Sequence, residues 1–277
     1  MATRDRRLLA GGLLLGVVVL LALAAPLVTS ISPETTRDVV ATRFLQPWST
    51  DLHGVFHLLG TDRLGRDVWA RLLYGARLSL GVGALAVLIS SLLGVGIGAL
   101  AGASRGAVRT TLLGFTDFAL ALPRVVLLLL LAALWQPSAV LVVIVLGITG
   151  WMSVARLVFG EARNIVARPF VDSARALGSS RLRILLAHIL PNVLTPALVA
   201  ASLGFGNAIM LEAGLSFLGV GVQPPASSWG TMIASGRDTL VNAPWVALAP
   251  GVALVLVVVA STLLGDALQD AWDPRRG

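Results

Sequence analysis

RPFVDSARALGSSRLRILLAHILPN, residues 168–192, decides how the rest of the chain is read. It separates two long apolar runs, yet carries Arg168, Asp172, Arg175, Arg181, Arg183 and His188, too many charged groups to lie in hydrocarbon. It therefore sits in water or against a protein partner. Locally it reads as two short helices about a glycine. Pro169 suits a first helical turn, where its missing N–H is no loss, and residues 170–177 hold no helix breaker. Gly178 supplies the left-handed residue that ends the first helix, and Ser179 or Ser180 caps the second by accepting a backbone N–H. The second helix is predicted to run to Leu190 and stop before Pro191. Leu182, Leu185, Leu186 and Ile189 fall at i, i+3, i+4 and i+7, which predicts one buried face, with Arg181, Arg183 and His188 off it.

Composition sets the surroundings of this stretch. Of 277 residues, 56% are hydrophobic and only 13% charged, which excludes an ordinary soluble domain and predicts an integral membrane protein. A net charge of +7 would suggest a nucleic-acid partner in a soluble protein. Here the charge is judged by the side of the membrane it faces, and no nucleic acid is expected. The chain has no cysteine, which excludes disulfides, thiol nucleophiles and thiolate metal sites. All 21 basic residues are arginine, and a P-loop needs a lysine on the phosphates, so this chain cannot carry that ATP site itself. No catalytic residues stand out: there is no metalloprotease spelling, no supported Ser/His/Asp set and no carboxylate pair on one helix face.

In chain order, residues 8–28 are uncharged and long enough for a first span behind Arg4, Arg6 and Arg7. The small residues at 22–24 also fit a cleavable leader, but the apolar run continues past them and an uncleaved anchor is expected. Residues 1–30 form this N-terminal transmembrane helix, residues 31–76 an extracytoplasmic segment, and residues 77–277 a five-helix core. Within the second segment, residues 67–77 read as an amphipathic helix lying along the interface, with Val68, Leu72 and Tyr74 toward the apolar side. His53 and His57 stand at i, i+4, but Gly54 weakens that helix and no third ligand is evident, so no metal is expected.

The second span, residues 78–104, has Gly94, Gly98 and Gly102 four apart, a spacing that lets helix backbones approach closely. The third, residues 110–135, contains Asp117, Pro123 and Arg124. Pro123 removes a ladder bond and favours a kink. Two readings of Arg124 stay open: a pathway-lining charge, or a structural partner of Asp117 two turns away. A fourth span covers residues 137–155, and the polar loop runs over 156–191. A fifth, over 192–211, carries Asn207 and Met210 and ends at Glu212. Gly219, Gly221, Pro224 and Pro225 break residues 213–243 into an extracytoplasmic reentrant scoop, and residues 244–264 form the sixth span.

Arginine placement orients the six spans. With the N-terminus inside, 13 arginines lie on the inner side and seven on the outer, as the positive-inside tendency requires. Both termini and the loop at 156–191 are then cytoplasmic.

The loop also carries a resemblance. Asp172-Ser173-Ala174, Gly178, His188 and Leu190-Pro191 keep the spacing of the EAA loop of ABC importer permeases, although Glu, Ala and Ile are usual where Asp172, Ser173 and His188 stand. Four further segments resemble the dipeptide, oligopeptide and nickel branch of those permeases. They are HLLGTDRLGRDVWARLLYGARLSL (57–80), DFALALP (117–123), EAGLSFLGVGVQPPASSWGTMI (212–233) and GDALQDAWDPRRG (265–277).

The resemblance implies an all-α polytopic fold with six transmembrane helices, that of a type I ABC importer permease in a bacterial inner membrane. It implies ATPase coupling through Phe170, Asp172, Ala174, Arg175, Leu177, Gly178, Leu190 and Pro191. Asp117, Arg124, Asn207, Met210 and Glu212 become candidates for the translocation pathway. The implied partners are a second homologous permease, two ATP-binding cassette subunits that bind ATP and Mg, an extracytoplasmic substrate-binding protein and membrane lipid. Peptides, nickel chelates, glutathione and opines all fit as cargo. The competing class is an ion-coupled secondary transporter, which expects ion-coordinating groups near the midplane and no docking loop.

Overall fold

The computed structural model describes residues 2–36 and 38–272. The chain opens with α1 (Ala2–Leu23) and the short α2 (Ala25–Val28). An irregular segment follows, holding α3 (Val39–Thr42) and a small antiparallel hairpin of β1 (Ser49–Thr50) and β2 (Phe56–His57). Then come α4 (Val68–Ala103), α5 (Ala107–Ala121), α6 (Arg124–Leu134) and α7 (Ala139–Val166). The charged loop contributes α8 (Pro169–Ala176) and α9 (Arg181–Ile184), and a π turn leads into α10 (Leu190–Phe217). The chain closes with α11 (Trp229–Arg237) and α12 (Trp245–Trp272). Among the described residues five helices are long and apolar enough to cross a membrane, or six if the bent pair α5–α6 counts as one span.

Three expectations about these helices are corrected. Residues 67–77 are not a separate interfacial helix: α4 runs unbroken for 36 residues, capped by Asp67, whose side chain accepts the Ala70 N–H. At about 1.5 Å per residue it outruns the hydrocarbon layer, so its first turns stand beyond it. Val68 is fully buried in a core shared with α11 and α12, and Arg71 is turned to Asp62. Packing and that ion pair, with no proline in between, keep the helix continuous where an amphipathic pattern suggested a separate interfacial helix.

The third span is not continuous either. α5 and α6 meet at 84° around Leu122 and Pro123. The proline ring disfavours helical geometry in the residue before it, and Leu122 is extended (φ −74°, ψ 132°).

Finally, the helix after Ser180 does not stop before Pro191. Residues 185–189 form a π turn in which the Leu190 N–H reaches back five residues to the Leu185 carbonyl, and the helix continues to Phe217. The widened turn makes room for a ring that has no N–H to give, and the Asn192 amide Nδ2 donates to the His188 carbonyl at 2.7 Å.

The bundle closes on α4, α7, α10 and α12. Gly94, Gly98 and Gly102 let α4 lie directly on α7: a Cβ at Gly94 would meet Val154, one at Gly98 the Ala155 carbonyl, and one at Gly102 Ala162. α10 and α12 run antiparallel, with Gly206 against Ser261 and Gly265 against Leu203. Arg7 of α1 lies 3.8 Å from Asp270 of α12, so the outer ends of these two helices are at one end of the bundle, with the charged loop.

The opposite end is covered by residues 29–36 and 38–67, the turns after α10, and α11. The Trp245 indole N–H donates to the Thr61 carbonyl and the Trp229 indole N–H to the Leu72 carbonyl. His57 is buried, with Nδ1 2.8 Å from Asp67 and Nε2 3.6 Å from Asp51, so it joins the hairpin to the start of α4.

Asp62 holds the same region together, paired with Arg66 at 2.8 Å and with Arg71. Burial pushes the Asp62 carboxyl up, but the Arg71 and Arg66 guanidiniums overcome that and hold it below the ordinary value. A carboxyl depressed in the folded state adds stability that is present above the unfolded value of about 4 and is lost as pH falls through the folded one. Asp62→Asn is expected to leave Arg71 buried without its partner and to cost about 3–5 kcal/mol, read as a lowered unfolding temperature in detergent at neutral pH.

Candidate coupling surface and transport cavity

The charged loop folds as a hairpin. Pro169 takes the first turn of α8, and Val171, fully buried, anchors it in a core with Ile165 of α7, Ile184 of α9 and Val193 of α10. Gly178 adopts φ +83°, its N–H donating to Arg175 and the Ser179 N–H to Ala174, and the Ser180 hydroxyl accepts the Arg183 N–H to start α9. These are the local features read from the sequence. The buried face differs from the expected one: Ile184 and Ile189 point inward with Leu185 packed beside them, whereas Leu182 and Leu186 are exposed. The π turn rotates the pattern away from a regular helical stripe.

Of the residues implied in coupling, Phe170, Asp172, Ala174, Arg175, Leu177 and Gly178 share this hairpin. Asp172 and Arg175 pair at 2.8 Å, Leu177 is 87% exposed, and Phe170 packs edge-on against His188 with ring centres 5.8 Å apart. His188 thus ties α8 to the π turn. Leu190 and Pro191 lie further on, in the continuous helix, with Leu190 packed on the core beneath the hairpin and Pro191 at its surface.

The pathway candidates do not gather in one place. Asp117 pairs with Arg156 of α7 at 3.0 Å, both half exposed, because the bend between α5 and α6 carries it away from Arg124. Arg124 instead lines a cavity of about 340 Å³ between α4, α6, α7 and α10, together with Ser90, Ser91, Gly150, Ser153 and Asn207. Among the described residues its Nε is buried without a hydrogen-bond partner, as is the Ser91 hydroxyl. Met210 is exposed on α10 outside this lining.

Glu212 is fully buried, well inside α10 and not at its end. Ser79 of α4 donates to it at 2.9 Å and Ser216 at 2.7 Å, while the Ser79 hydroxyl accepts the Trp229 N–H. Glu212 therefore clamps α4, α10 and α11 together and is not part of the cavity lining. The three cavity serines were missed, since a serine in an apolar run is unremarkable until neighbouring helices show what it faces.

Apolar helices around a cavity that holds an arginine, with one charged hairpin at the end of the bundle, make this an integral membrane subunit of the transporter class. The chain belongs to the family of binding-protein-dependent transport system inner membrane components, which it matches over residues 94–277. It is 41% identical over 272 residues to a putative peptide transport system permease protein of Brucella abortus biovar 1 (strain 9-941), covering 98% of this chain and 89% of that one. It is 40% identical over 267 residues to a di/tripeptide transport system permease protein of Pseudomonas aeruginosa (strain UCBPP-PA14), covering 96% and 87%. The fold is that of a solved amino acid ABC transporter chain, matched with a TM-score of 0.53 at 21% identity over 74% of this chain and 94% of that one. Family membership leaves the ion-coupled reading without support.

Proposed function

We propose that this chain is one of two permease subunits of a bacterial ATP-driven importer of short peptides. The observation that carries the reading is the hairpin around Gly178. It presents Phe170 and Leu177 outward beside charged side chains, on a rigid base formed by Val171, in a chain without the lysine of a P-loop. An exposed apolar tip of this kind marks a protein contact, and the contact proposed is a separate ATPase subunit. The hairpin and both termini face the cytoplasm, which agrees with the arginine distribution and with the shared end of α1 and α12. Peptide is preferred over nickel chelates as cargo because relatives about 40% identical over nearly their whole length are named as peptide permeases.

Closure of the two ATPases on ATP would push the hairpin, and the helices rigidly joined to it, α7 and α10, would rock the cavity between two openings. A second permease, an extracytoplasmic binding protein and two ATPases complete the machine. In membrane vesicles holding all subunits, uptake of trialanine is expected to stop when ATP is removed and the proton gradient kept. Uptake that persists without ATP overturns the reading.

A further inference from the structure

Arg124 is a charge without a partner. Among the described residues it makes no hydrogen bond and no ion pair, although it sits within the α5–α6 span. No acidic side chain lines its cavity; the other polar groups there are Ser90, Ser91, Ser153 and Asn207, and the remaining wall is alanine, glycine, valine and leucine. A guanidinium inside a membrane span, with its Nε buried and unpartnered, is costly unless an anion meets it. Its planar fork matches a carboxylate in two parallel hydrogen bonds, and the buried, unpartnered Ser91 hydroxyl offers one more donor. At about 340 Å³ the space is of the size that holds small ligands. The first turn of α6, which has no side-chain cap, adds a positive helix end to the same region.

We propose that this cavity is a transient binding site for the free C-terminal carboxylate of the transported peptide, held by Arg124 with help from Ser91 and Asn207. The inference rests on the peptide-importer reading. The small apolar wall fits cargo whose side chains vary, since it offers space and no specific partner. The absence of an acid means that the amino end of the peptide stays toward the cavity mouth. The site reads one end of the cargo only.

The test uses the complete importer in proteoliposomes, with trialanine and trialanine amide as cargo, and compares the acid-to-amide uptake ratio between variants. Any preference of the binding protein is common to all variants and cancels. Arg124→Gln is expected to lower uptake of the acid at least tenfold and spare the amide, whereas Arg124→Lys keeps most of the preference because it keeps the charge. Ser91→Asp, which places a fixed carboxylate in the wall of the same cavity, is expected to mimic Arg124→Gln and serves if that variant assembles poorly. An unchanged ratio in Arg124→Gln and Ser91→Asp, with trialanine still carried, overturns the carboxylate site and leaves the importer reading standing. A wild-type complex that carries neither peptide overturns the peptide reading, and the site with it.

Discussion

Replacing Gly98 with leucine is expected to destroy the bundle. A Cβ at this position would stand 2.5 Å from the Ala155 carbonyl oxygen and 2.8 Å from Val158 Cβ, so α4 and α7 must separate before any of the larger side chain is placed. Overpacking of a tight core costs about 1–3 kcal/mol when neighbours can shift, and here one of the neighbours is backbone, which puts the change at the upper end. The expected result is loss of the folded chain from detergent extracts, measured as monodisperse protein recovered per cell. Gly96 is the control. It lies two residues away on the same helix, a Cβ there meets nothing within 4 Å, and Gly96→Leu is expected to leave the isolated chain folded.

Gly178→Leu is expected to act in the opposite way, leaving the bundle intact and removing the work it does. No atom crowds a Cβ at Gly178, but the backbone sits at φ +83°, where an L-residue with a side chain pays about 1–2 kcal/mol. That strain falls on an exposed hairpin and not on the bundle, so the turn between α8 and α9 is what gives way. Uptake is expected to fall at least tenfold while the amount of chain in the membrane stays the same. Gly178→Asn is expected to retain more uptake, because asparagine visits this conformation more readily. Full transport from the leucine variant would show that the hairpin is not the coupling element.

The contrast between these two glycines also marks how far the sequence could be read. Apolar runs located the long helices because hydrocarbon demands length and apolarity, both visible residue by residue. Gly178 was legible for a similar reason: a turn between two short helices needs a residue free of the steric limit on positive φ. Gly94, Gly98 and Gly102 announced a close contact, and their structural partner is α7.

What failed depended on packing that no local pattern shows. The π turn at 185–189 exists because Ile184, Ile189 and Val193 all reach one core while Pro191 must be accommodated, and no local rule weighs those demands together. Asp117 and Arg124 are in register on a straight helix, but an 84° bend at Pro123 parts them, and Arg156, 39 residues away, takes the aspartate. The kink was foreseeable from the proline; its size was not. Glu212 read as a pathway group because a carboxylate in a span suggests function, and its hydrogen bond from Ser79, 133 residues earlier, which ties α10 to α4, could not be read from the run itself.

The cysteine-free sequence permits one decisive measurement. Leu177→Cys places a single thiol at the tip of the hairpin, on a side chain 87% exposed. In spheroplasts holding the complete importer, a short bifunctional maleimide reagent that reacts with thiols and amines is expected to join this residue to the ATPase subunit. The cross-linked band should disappear when the ATPase gene is left out. Labelling of the same thiol by a membrane-impermeant maleimide added outside, with no cross-link to the ATPase, would contradict both the orientation and the coupling role of the hairpin.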